Sequence, residues 1–305
     1  MIATGAYAST TNKASLNQNQ GEIVRELKNT NNNSYFTENS IDAVVLAGQD
    51  PVPDLNTDYK ATIDIDGKEM ICYVVEAVLG SKYVNNVYIV GVEDKLNKIS
   101  FSVEKEKIRF VNDTGNFLDD FIKGSNASET KKILYLTCDI PLIKKEHIDD
   151  FIKGCAKRGE ADFYLPYCSK EEDKRKFPEI EPNYVLKIPG EGYIRSAYIL
   201  VLDRSLLDEI NKNKDIKTII ASLDSTREKR KWLYIKLAFK NPLSSLKSYI
   251  QYKRGTLTIA GAEKLFYKIT GKNIVLIKSS SEVGTDVDSY EDLKNIEEII
   301  KKYWK

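Results

Sequence analysis

Short apolar runs alternate with segments of helical periodicity through the middle of the chain. Residues 43–47 form a run of five apolar side chains that ends at Gly48, which predicts a strand buried on both faces. Residues 69–80 place apolar side chains three and four positions apart, as an amphipathic helix does. Further strands are predicted at residues 87–90, 108–111, 133–136 and 161–167, and further helices at residues 117–122 and 146–156. This alternation predicts an α/β fold, with a Rossmann-like, mostly parallel sheet and helices on both faces.

The second half of the chain is less regular. Residues 168–192 contain three prolines among many charges and are predicted to form a long excursion over the surface. Strands are predicted at residues 198–202 and 273–278, and helices at residues 205–211, 227–270 (with breaks at Pro242 and Gly255) and 290–303. No repeat and no linker divides residues 41–305, so we expect a single α/β domain with a helical insertion around residues 205–270.

Residues 1–40 differ from this body in composition. They contain eight Asn and many Ser, Thr and Gln, with little periodic apolar content. Such a segment cannot bury enough apolar surface to offset the entropy lost on ordering, so it is predicted to be a mostly disordered tail with one short helix at residues 22–28. A passive tail and a partner-binding tail are both compatible with this composition.

A single histidine among 305 residues limits the available chemistry. Sites that need several imidazoles, such as a three-histidine zinc centre, are excluded. A Ser-His-Asp device would have to use His147, which we expect at the surface or partly buried rather than in catalysis. The formal net charge of +1 argues against duplex DNA or an anionic membrane as a partner, so we expect neither nucleic acid nor membrane binding.

Two further features favour a cytoplasmic protein. No apolar run approaches the roughly 18 residues that a membrane helix needs, and residues 1–20 lack the charged start and apolar core of a signal peptide. The cysteines are widely spaced and form no CxxC pair, which predicts reduced thiols in or near the core: Cys72, Cys138, Cys155 and Cys168.

Candidate ligand-binding residues follow three of the predicted elements. In open parallel sheets, ligands bind beyond the carboxyl ends of the strands. The first strand ends in Leu46-Ala47-Gly48, where backbone N–H groups could approach a phosphate or base, and Lys60 stands twelve residues further on. Taken alone, this pattern is also that of an ordinary turn followed by an exposed lysine.

Carboxylates stand at the other two places. Asp139 directly follows the predicted strand at residues 133–136 and could ligate Mg²⁺, which prefers carboxylates plus phosphate oxygens, or could cap the helix that begins near Lys144. Asp286 and Asp288 precede the last predicted helix. We expect one of this pair to meet a metal and the other to support the loop or to cap the helix, with Ser289 as the rival cap.

Together these motifs resemble the nucleotidyltransferase branch of the GT-A fold, the molybdenum-cofactor guanylyltransferase-like NTP transferases. The resemblance covers more than 250 residues. It rests on Val44-Val45-Leu46-Ala47-Gly48 with Tyr59-Lys60-Ala61 and Gly67-Lys68-Glu69-Met70, on Leu136-Thr137-Cys138-Asp139-Ile140-Pro141-Leu142, and on Asp286-Val287-Asp288 with Glu291-Asp292-Leu293.

The resemblance implies roles for individual residues. Its first loop embraces the base and triphosphate, which assigns nucleotide binding to Leu46, Ala47, Gly48 and Lys60. It also implies that Lys60 contacts a phosphate or the substrate, that Asp139 binds Mg²⁺ or Mn²⁺, and that Asp286 or Asp288 completes the metal site. The implied reaction transfers a nucleoside monophosphate from a nucleoside triphosphate to a phosphorylated or hydroxylated small molecule, with release of pyrophosphate. Catalysis then depends on Lys60 and Asp139.

The loop after Gly48 departs from the family pattern. Relatives usually read Leu-Ala-Gly-Gly and continue with further glycine and an arginine, whereas here Gln49 follows and two prolines and two aspartates occupy residues 50–54. Prolines remove N–H donors and aspartates repel phosphate. A non-catalytic binding or regulatory domain is therefore an alternative to the transferase. A glycosyltransferase that uses a nucleotide sugar is a second alternative, because it shares the implied fold.

Overall fold

The computed structural model describes residues 35–48, 57–182, 186–210, 212–221 and 241–303, together with Leu55, Tyr184 and Phe239. The helix predicted at residues 22–28, most of the loop after Gly48 and the beginning of the helical segment predicted at residues 227–270 lie outside these residues.

The strands follow the predicted order along the chain. They are β1 (Ile41–Ala47), β2 (Asp64–Ile65), β3 (Lys68–Glu69), β4 (Val84–Gly91), β5 (Ile108–Asn112), β6 (Lys132–Thr137), β7 (Phe163–Ser169), β8 (Leu186–Ile188), β9 (Gly192–Ser196), β10 (Ile199–Asp203) and β11 (Ile274–Lys278). The β2–β3 hairpin turns through Asp66 and Gly67, whose positive φ angles of 54° and 84° suit an Asp-Gly pair.

The helices alternate with these strands in the first half of the chain. They are α1 (Met70–Gly80), α2 (Glu93–Leu96), α3 (Phe117–Ala127), α4 (Lys145–Arg158), α5 (Lys170–Lys176), α6 (Leu206–Ile210), α7 (Lys214–Ala221), α8 (Pro242–Lys253), α9 (Ile259–Thr270) and α10 (Tyr290–Tyr303). Single 3-10 turns form at Lys60–Thr62, Lys105–Lys107 and Ser281–Gly284. In the part of the chain that the structure describes, no helix is both long and apolar enough to cross a membrane.

One mixed sheet forms the centre of the molecule. Its order is β5-β4-β1-β6-β10-β7-β9-β8, and β11 pairs with β7. The strands β5, β4, β1 and β6 run parallel to one another, as β11 does to β7, whereas β10 runs antiparallel between β6 and β7. The predicted α/β fold is confirmed, and the carboxyl ends of β1 and β6 lie side by side at one edge of the sheet.

The core follows from the alternation of side chains along β1. Ala43 and Val45 face a cluster that includes α1 and α4, whereas Val44 faces the opposite cluster, which includes α3, α6 and α7. These β1 residues are all fully buried. A strand covered by helices on both faces carries apolar side chains on both, which explains the continuous run at residues 43–47. The four cysteines are free thiols and buried, as predicted.

Two parts of the structure differ from the sequence-based expectations. Residues 168–192, predicted as a surface excursion, contain the end of β7, helix α5 and strand β8, and β8 pairs with β9. The helix was missed because Lys170–Lys176 consists of charged residues, with no apolar period to reveal it. Residues 35–40 fall within the predicted tail, yet the ring of Phe36 lies 5.5 Å from that of Tyr164 in an edge-on contact.

Candidate active site

Tyr59 fixes the backbone that carries Lys60. Its buried hydroxyl donates a hydrogen bond to the carbonyl of Ala47, 2.7 Å away, and accepts one from the N–H of Val92 at 3.3 Å. These bonds attach the 3-10 turn Lys60–Thr62 to the ends of both β1 and β4. Lys60 is only 7% exposed, so its ammonium group lies inside the protein rather than in solvent.

Asp139 follows β6 and is fixed by its backbone from two sides. The N–H of Cys138 donates to the carbonyl of Leu46 at 3.0 Å, which extends the β1–β6 pairing beyond the strand. The carbonyl of Asp139 accepts from the N–H of Val287 at 3.0 Å. The oxygen Oδ1 of Asp139 is buried and has no hydrogen-bond partner among the described residues. Asp139 is therefore not the helix cap that the sequence left open.

Asp286 and Asp288 lie on the same side of their segment. The expectation that only one of the pair reaches a common site is wrong, because side chains two positions apart in extended chain share a face. Val287 between them points the other way and is fully buried. The cap of α10 is Ser289, whose hydroxyl accepts from the N–H of Asp292 at 3.2 Å.

Lys60 and the three carboxylates meet in one cluster. Lys60 Nζ lies 2.5 Å from Asp139 Oδ2 and 2.9 Å from Asp288 Oδ1. Asp139, Asp286 and Asp288 each offer one oxygen, and these three oxygens lie within 4.8 Å of one another. Residues that the sequence separates widely thus share one site at the carboxyl edge of β1 and β6.

Charge is distributed unevenly over this cluster. Burial acts to lower the pKa of Lys60, but Asp139 and Asp288 outweigh it and the pKa is raised, so Lys60 stays a cation. Burial acts to raise the pKa of Asp288, but Lys60 lowers it overall. Burial, followed by the charges of Asp139 and Asp288, raises the pKa of Asp286 to about 8. At neutral pH the cluster therefore holds a proton on Asp286.

The donor set suits a hard divalent cation. Mg²⁺ binds oxygen ligands and commonly takes one or two carboxylates together with substrate phosphates. Three convergent carboxylate oxygens are present, and Asp139 Oδ1 is a buried acceptor still available for a ligand. The residues therefore fit Mg²⁺ or Mn²⁺, and Asp139, Asp286 and Asp288 are the groups that would hold it.

Leu46 and Ala47 end β1, and Gly48 follows it, at the same edge of the sheet as the cluster. The carbonyls of Leu46 and Ala47 accept the hydrogen bonds from Cys138 and Tyr59 described above. A side chain added at Gly48 would meet, among the described residues, only Asp120 Oδ2 at 3.9 Å, so the backbone there is open to a ligand.

Two residues of the site were not identified as candidates from the sequence. The hydroxyl of Tyr198 hydrogen-bonds to Asp286, and burial together with that carboxylate raises the pKa of Tyr198. Arg195 is buried and donates to the carbonyl of Gly284 and, at 3.3 Å, to Thr285 Oγ1, so it holds the segment that leads to Asp286. No motif marks either residue, and β10 brings Tyr198 to this edge because it runs antiparallel to its neighbours.

His147 lies outside the cluster and has a structural role. Its Nδ1 accepts a hydrogen bond from the N–H of Lys144 at 3.1 Å, which satisfies a donor at the start of α4. Its Nε2 lies 3.6 Å from Glu282. Burial lowers the pKa of His147 despite that carboxylate. The expectation of a partly buried residue is confirmed.

A mixed sheet with a buried lysine and carboxylates at the carboxyl ends of its parallel strands β1 and β6 places the protein in the nucleotidyltransferase-type class of α/β folds. Residues 43–229 match the MobA-like NTP transferase domain. Because this match spans more than half of the chain, the protein belongs to the MobA-like NTP transferase family. The match includes Lys60 and Asp139 but ends before Asp286 and Asp288.

Solved structures share the fold. A hypothetical transferase from Thermus thermophilus superimposes with a TM-score of 0.62 at 23% identity, covering 83% of this chain and 98% of that one. A CMP:2-keto-3-deoxy-manno-octonic acid synthetase in complex with CTP gives 0.55 at 14% identity, covering 86% and 99%. A 4-diphosphocytidyl-2C-methyl-D-erythritol synthase from Anaerococcus prevotii gives 0.51 at 12% identity, covering 86% and 96%. A search of curated proteins finds no match to the sequence.

Proposed function

We propose that the protein is a Mg²⁺-dependent nucleotidyltransferase, which transfers a nucleoside monophosphate from a nucleoside triphosphate to a small-molecule acceptor. The observation that carries the proposal is the meeting of Lys60 with Asp139, Asp286 and Asp288 at one edge of the sheet. Membership of the NTP transferase family supports the reaction class. The small-molecule acceptor would bear a phosphate or a hydroxyl group as its nucleophile.

The reaction is an in-line displacement at the α-phosphorus. An oxygen of the acceptor forms the new bond, the bond to the β-phosphate oxygen breaks, and pyrophosphate leaves. Such a transfer needs positioning and compensation of negative charge more than a covalent intermediate, which agrees with a site that contains no histidine. A bound Mg²⁺ would neutralise the phosphate oxygens and bring them within reach of the attacking group.

Three residues of the chain have further roles in the proposed transfer. Lys60 is a permanent cation whose ammonium group could transfer a hydrogen bond from Asp139 or Asp288 to a phosphate oxygen. Asp139 is held in place by the bond that its carbonyl accepts from Val287 and by the bond that the adjacent Cys138 N–H donates to Leu46. The open backbone at Gly48 would approach the nucleotide. Because these groups are already in position, little reorganisation accompanies the transfer.

The second candidate is a binding or regulatory domain that has lost catalysis. The observation that favours it is the sequence after Gly48, where Pro51 and Pro53 replace N–H donors and Asp50 and Asp54 add negative charge. A nucleotide-sugar glycosyltransferase is a third possibility on the same fold. It is less favoured because a lysine held between the candidate metal ligands suits phosphoryl chemistry.

Thermal denaturation with each of the four NTPs, with and without Mg²⁺, tests the proposal. A ligand that binds only the native state raises its stability, so at least one Mg-NTP should raise the melting temperature. Release of pyrophosphate with candidate acceptors then separates the transferase from the binding domain. If no Mg-NTP stabilises a well-folded sample, the enzyme assignment is wrong.

Two matched variants test whether the stabilisation by Mg-NTP depends on the assigned site. Asp139→Asn should abolish the stabilisation by Mg-NTP, because it removes a metal ligand while keeping the shape of the side chain. Asp119→Asn serves as the control, since Asp119 is exposed on α3 and takes no part in the cluster. Equal loss in both variants would contradict the assigned site.

A further inference from the structure

Helix α8 turns its apolar side chains away from the protein. Leu243 is 82% exposed and Leu246 57%, whereas Ser248 on the opposite side is buried. In a helix packed in the usual way, the apolar stripe faces the body and the polar side faces solvent. Here α8 packs against α9, and α9 packs against β11, with the serines of α8 on the inner side.

The outward stripe continues along the whole helix. Leu243, Leu246 and Ile250 stand three and four positions apart, so they lie on one side, and Tyr249 borders them. Tyr249 and Ile250 are 55% and 41% exposed, and Phe239, just before the helix, is 77% exposed. Contiguous exposed apolar surface of this kind marks an interaction site rather than ordinary surface.

Basic residues share this side of α8. Lys247 lies beside Leu243 and Ile250 on the helix, and Lys253 and Arg254 follow Ile250 at its end; all three cations are exposed. We call the surface formed by Leu243, Leu246, Tyr249 and Ile250, with these three cations, the α8 face. Long basic side chains beside an apolar stripe can keep their charged ends in the aqueous layer while their stems lie against apolar material.

The α8 face lies in the most basic part of the sequence. Residues 227–272 contain twelve Lys and Arg against two acidic residues, whereas the rest of the chain contains 34 against 43. The near-neutral net charge of the whole chain hides this asymmetry. Of the two acidic residues, Glu263 is already engaged, at 2.9 Å from Arg158. Within the described residues 241–272, six Lys and Arg stand against one acidic residue, so the surface around α8 is positive, although the chain as a whole is nearly neutral.

We infer that the α8 face binds the surface of an anionic membrane. A helix with an apolar stripe, flanking Lys and Arg, and aromatic residues at the border is the pattern that lies in the plane of a lipid interface. The apolar residues would enter the boundary between headgroups and acyl chains, and the cations would contact anionic headgroups. A second copy of this chain fits less well, because pairing two α8 faces would bring their cations together.

Co-sedimentation of the full chain with vesicles tests this inference. We expect binding to vesicles of phosphatidylcholine with about one-third phosphatidylglycerol, weaker binding to pure phosphatidylcholine, and release at high salt, since the headgroup attraction is screened. Absence of binding to the anionic vesicles at low salt would overturn the inference.

Two variants separate the apolar and the charged contributions. Leu243→Ser with Ile250→Ser should weaken binding at least tenfold without unfolding the protein, because both side chains are exposed. Lys247→Gln, Lys253→Gln and Arg254→Gln combined should weaken it on the order of a hundredfold, at about fivefold for each charge near the surface. If only the charge variant is impaired, the contact is purely electrostatic and an inserted apolar face is wrong.

Controls on other surfaces complete the experiment. Tyr290→Ser removes an exposed apolar side chain on α10, and Lys98→Gln, Lys105→Gln and Lys157→Gln combined remove three exposed charges elsewhere. Neither control should change vesicle binding by more than about twofold. Size-exclusion chromatography of the α8 variants decides the remaining alternative: a native dimer that dissociates in these variants would show that a second copy occupies the face, and the membrane inference would be wrong.

Discussion

The ammonium group of Lys60 lies 2.5 Å from Asp139 Oδ2, across 79 positions of the chain. The same group lies 2.9 Å from Asp288 Oδ1, so one buried cation joins the turn after β1, the end of β6 and the segment before α10. A divalent ion that binds these carboxylates must share them with Lys60 or displace it. Lys60 and the metal are therefore coupled, and this coupling can be measured.

Lys60→Met should destabilise the protein by about 3 kcal/mol in EDTA, because Asp139 loses its buried counter-charge. Mg²⁺ should then raise the melting temperature more than it does in the native protein, since no cation competes for the carboxylates. Turnover should fall by about a hundredfold or more. Lys60→Arg, which keeps the charge, should retain most of the stability. A smaller Mg²⁺ effect in Lys60→Met than in the native protein would contradict the competition.

The stability of the metal-free protein should decrease as the pH rises toward 8. The pKa of Asp286 is about 8 in the folded protein, against an ordinary value of 3.8, so between these values the folded state holds more protons than the unfolded state. The free energy of unfolding then decreases with pH, by at most about 1.4 kcal/mol per pH unit for this group. Thermal denaturation in EDTA from near pH 5 to near pH 9 measures it.

Asp286→Asn is the matched variant for this pH dependence. It should melt at a higher temperature than the native protein near pH 9 in EDTA and at a similar temperature near pH 5, where the native carboxyl is already protonated. Saturating Mg²⁺ should reverse the order near pH 9, because only the native carboxylate can ligate the ion. Parallel melting curves for the two proteins at all pH values would show that Asp286 is not perturbed.

Tyr198→Phe should move metal binding to higher pH. The hydroxyl of Tyr198 donates a hydrogen bond that lowers the pKa of Asp286, opposing its burial. Without that bond the carboxyl holds its proton more tightly, so Mg²⁺ affinity at neutral pH should fall by about threefold to tenfold. Calorimetric titration with Mg²⁺ at neutral pH and near pH 9 should show the defect shrinking at the higher pH. A defect that is equal at both pH values would exclude this role.

Arg195→Met should cost about 3–5 kcal/mol of stability, since it leaves Asp173 buried without its partner. Arg195 Nε lies 2.7 Å from Asp173 Oδ2, and Asp173 is 2% exposed. The double variant with Asp173→Leu should recover much of this loss, because no uncompensated charge remains. In both the single and the double variant the Mg²⁺ affinity should be lower than in the native protein, since the contacts of Arg195 with Gly284 and Thr285 are absent. Full recovery of both the stability and the Mg²⁺ affinity in the double variant would show that the role of Arg195 is purely structural.

The first half of the fold could be predicted because its longer strands each contain a short, mostly apolar run. β1 and β4 to β6 lie within a few residues of the predicted bounds, as a buried parallel strand leaves a continuous run in the sequence. α5 and β8 could not be predicted in the same way. Helix α5 consists of charged residues, and prolines stand on either side of β8. Contacts distant in sequence hold this region: Asp173 of α5, for example, pairs with Arg195, 22 positions away.

The candidate site was predictable as far as its residues follow the ends of strands. Lys60, Asp139, Asp286 and Asp288 all meet, although the sequence assigned only one of the last two to the site. Tyr198 could not be predicted as a site residue because it precedes β10. Because β10 runs antiparallel to its neighbours, its beginning rather than its end lies at the ligand-binding edge. No pattern in a single sequence predicts that direction.

The length of chain between Lys60 and Asp288 has a consequence for biosynthesis. The two residues are 228 positions apart, so the ribosome must add most of the domain after Lys60 before its second carboxylate partner exists. Contacts this distant form late, because closing a long loop costs entropy before the contact is gained. A nascent chain can pair Lys60 with Asp139 first, and the site becomes complete only when the segment before α10 docks.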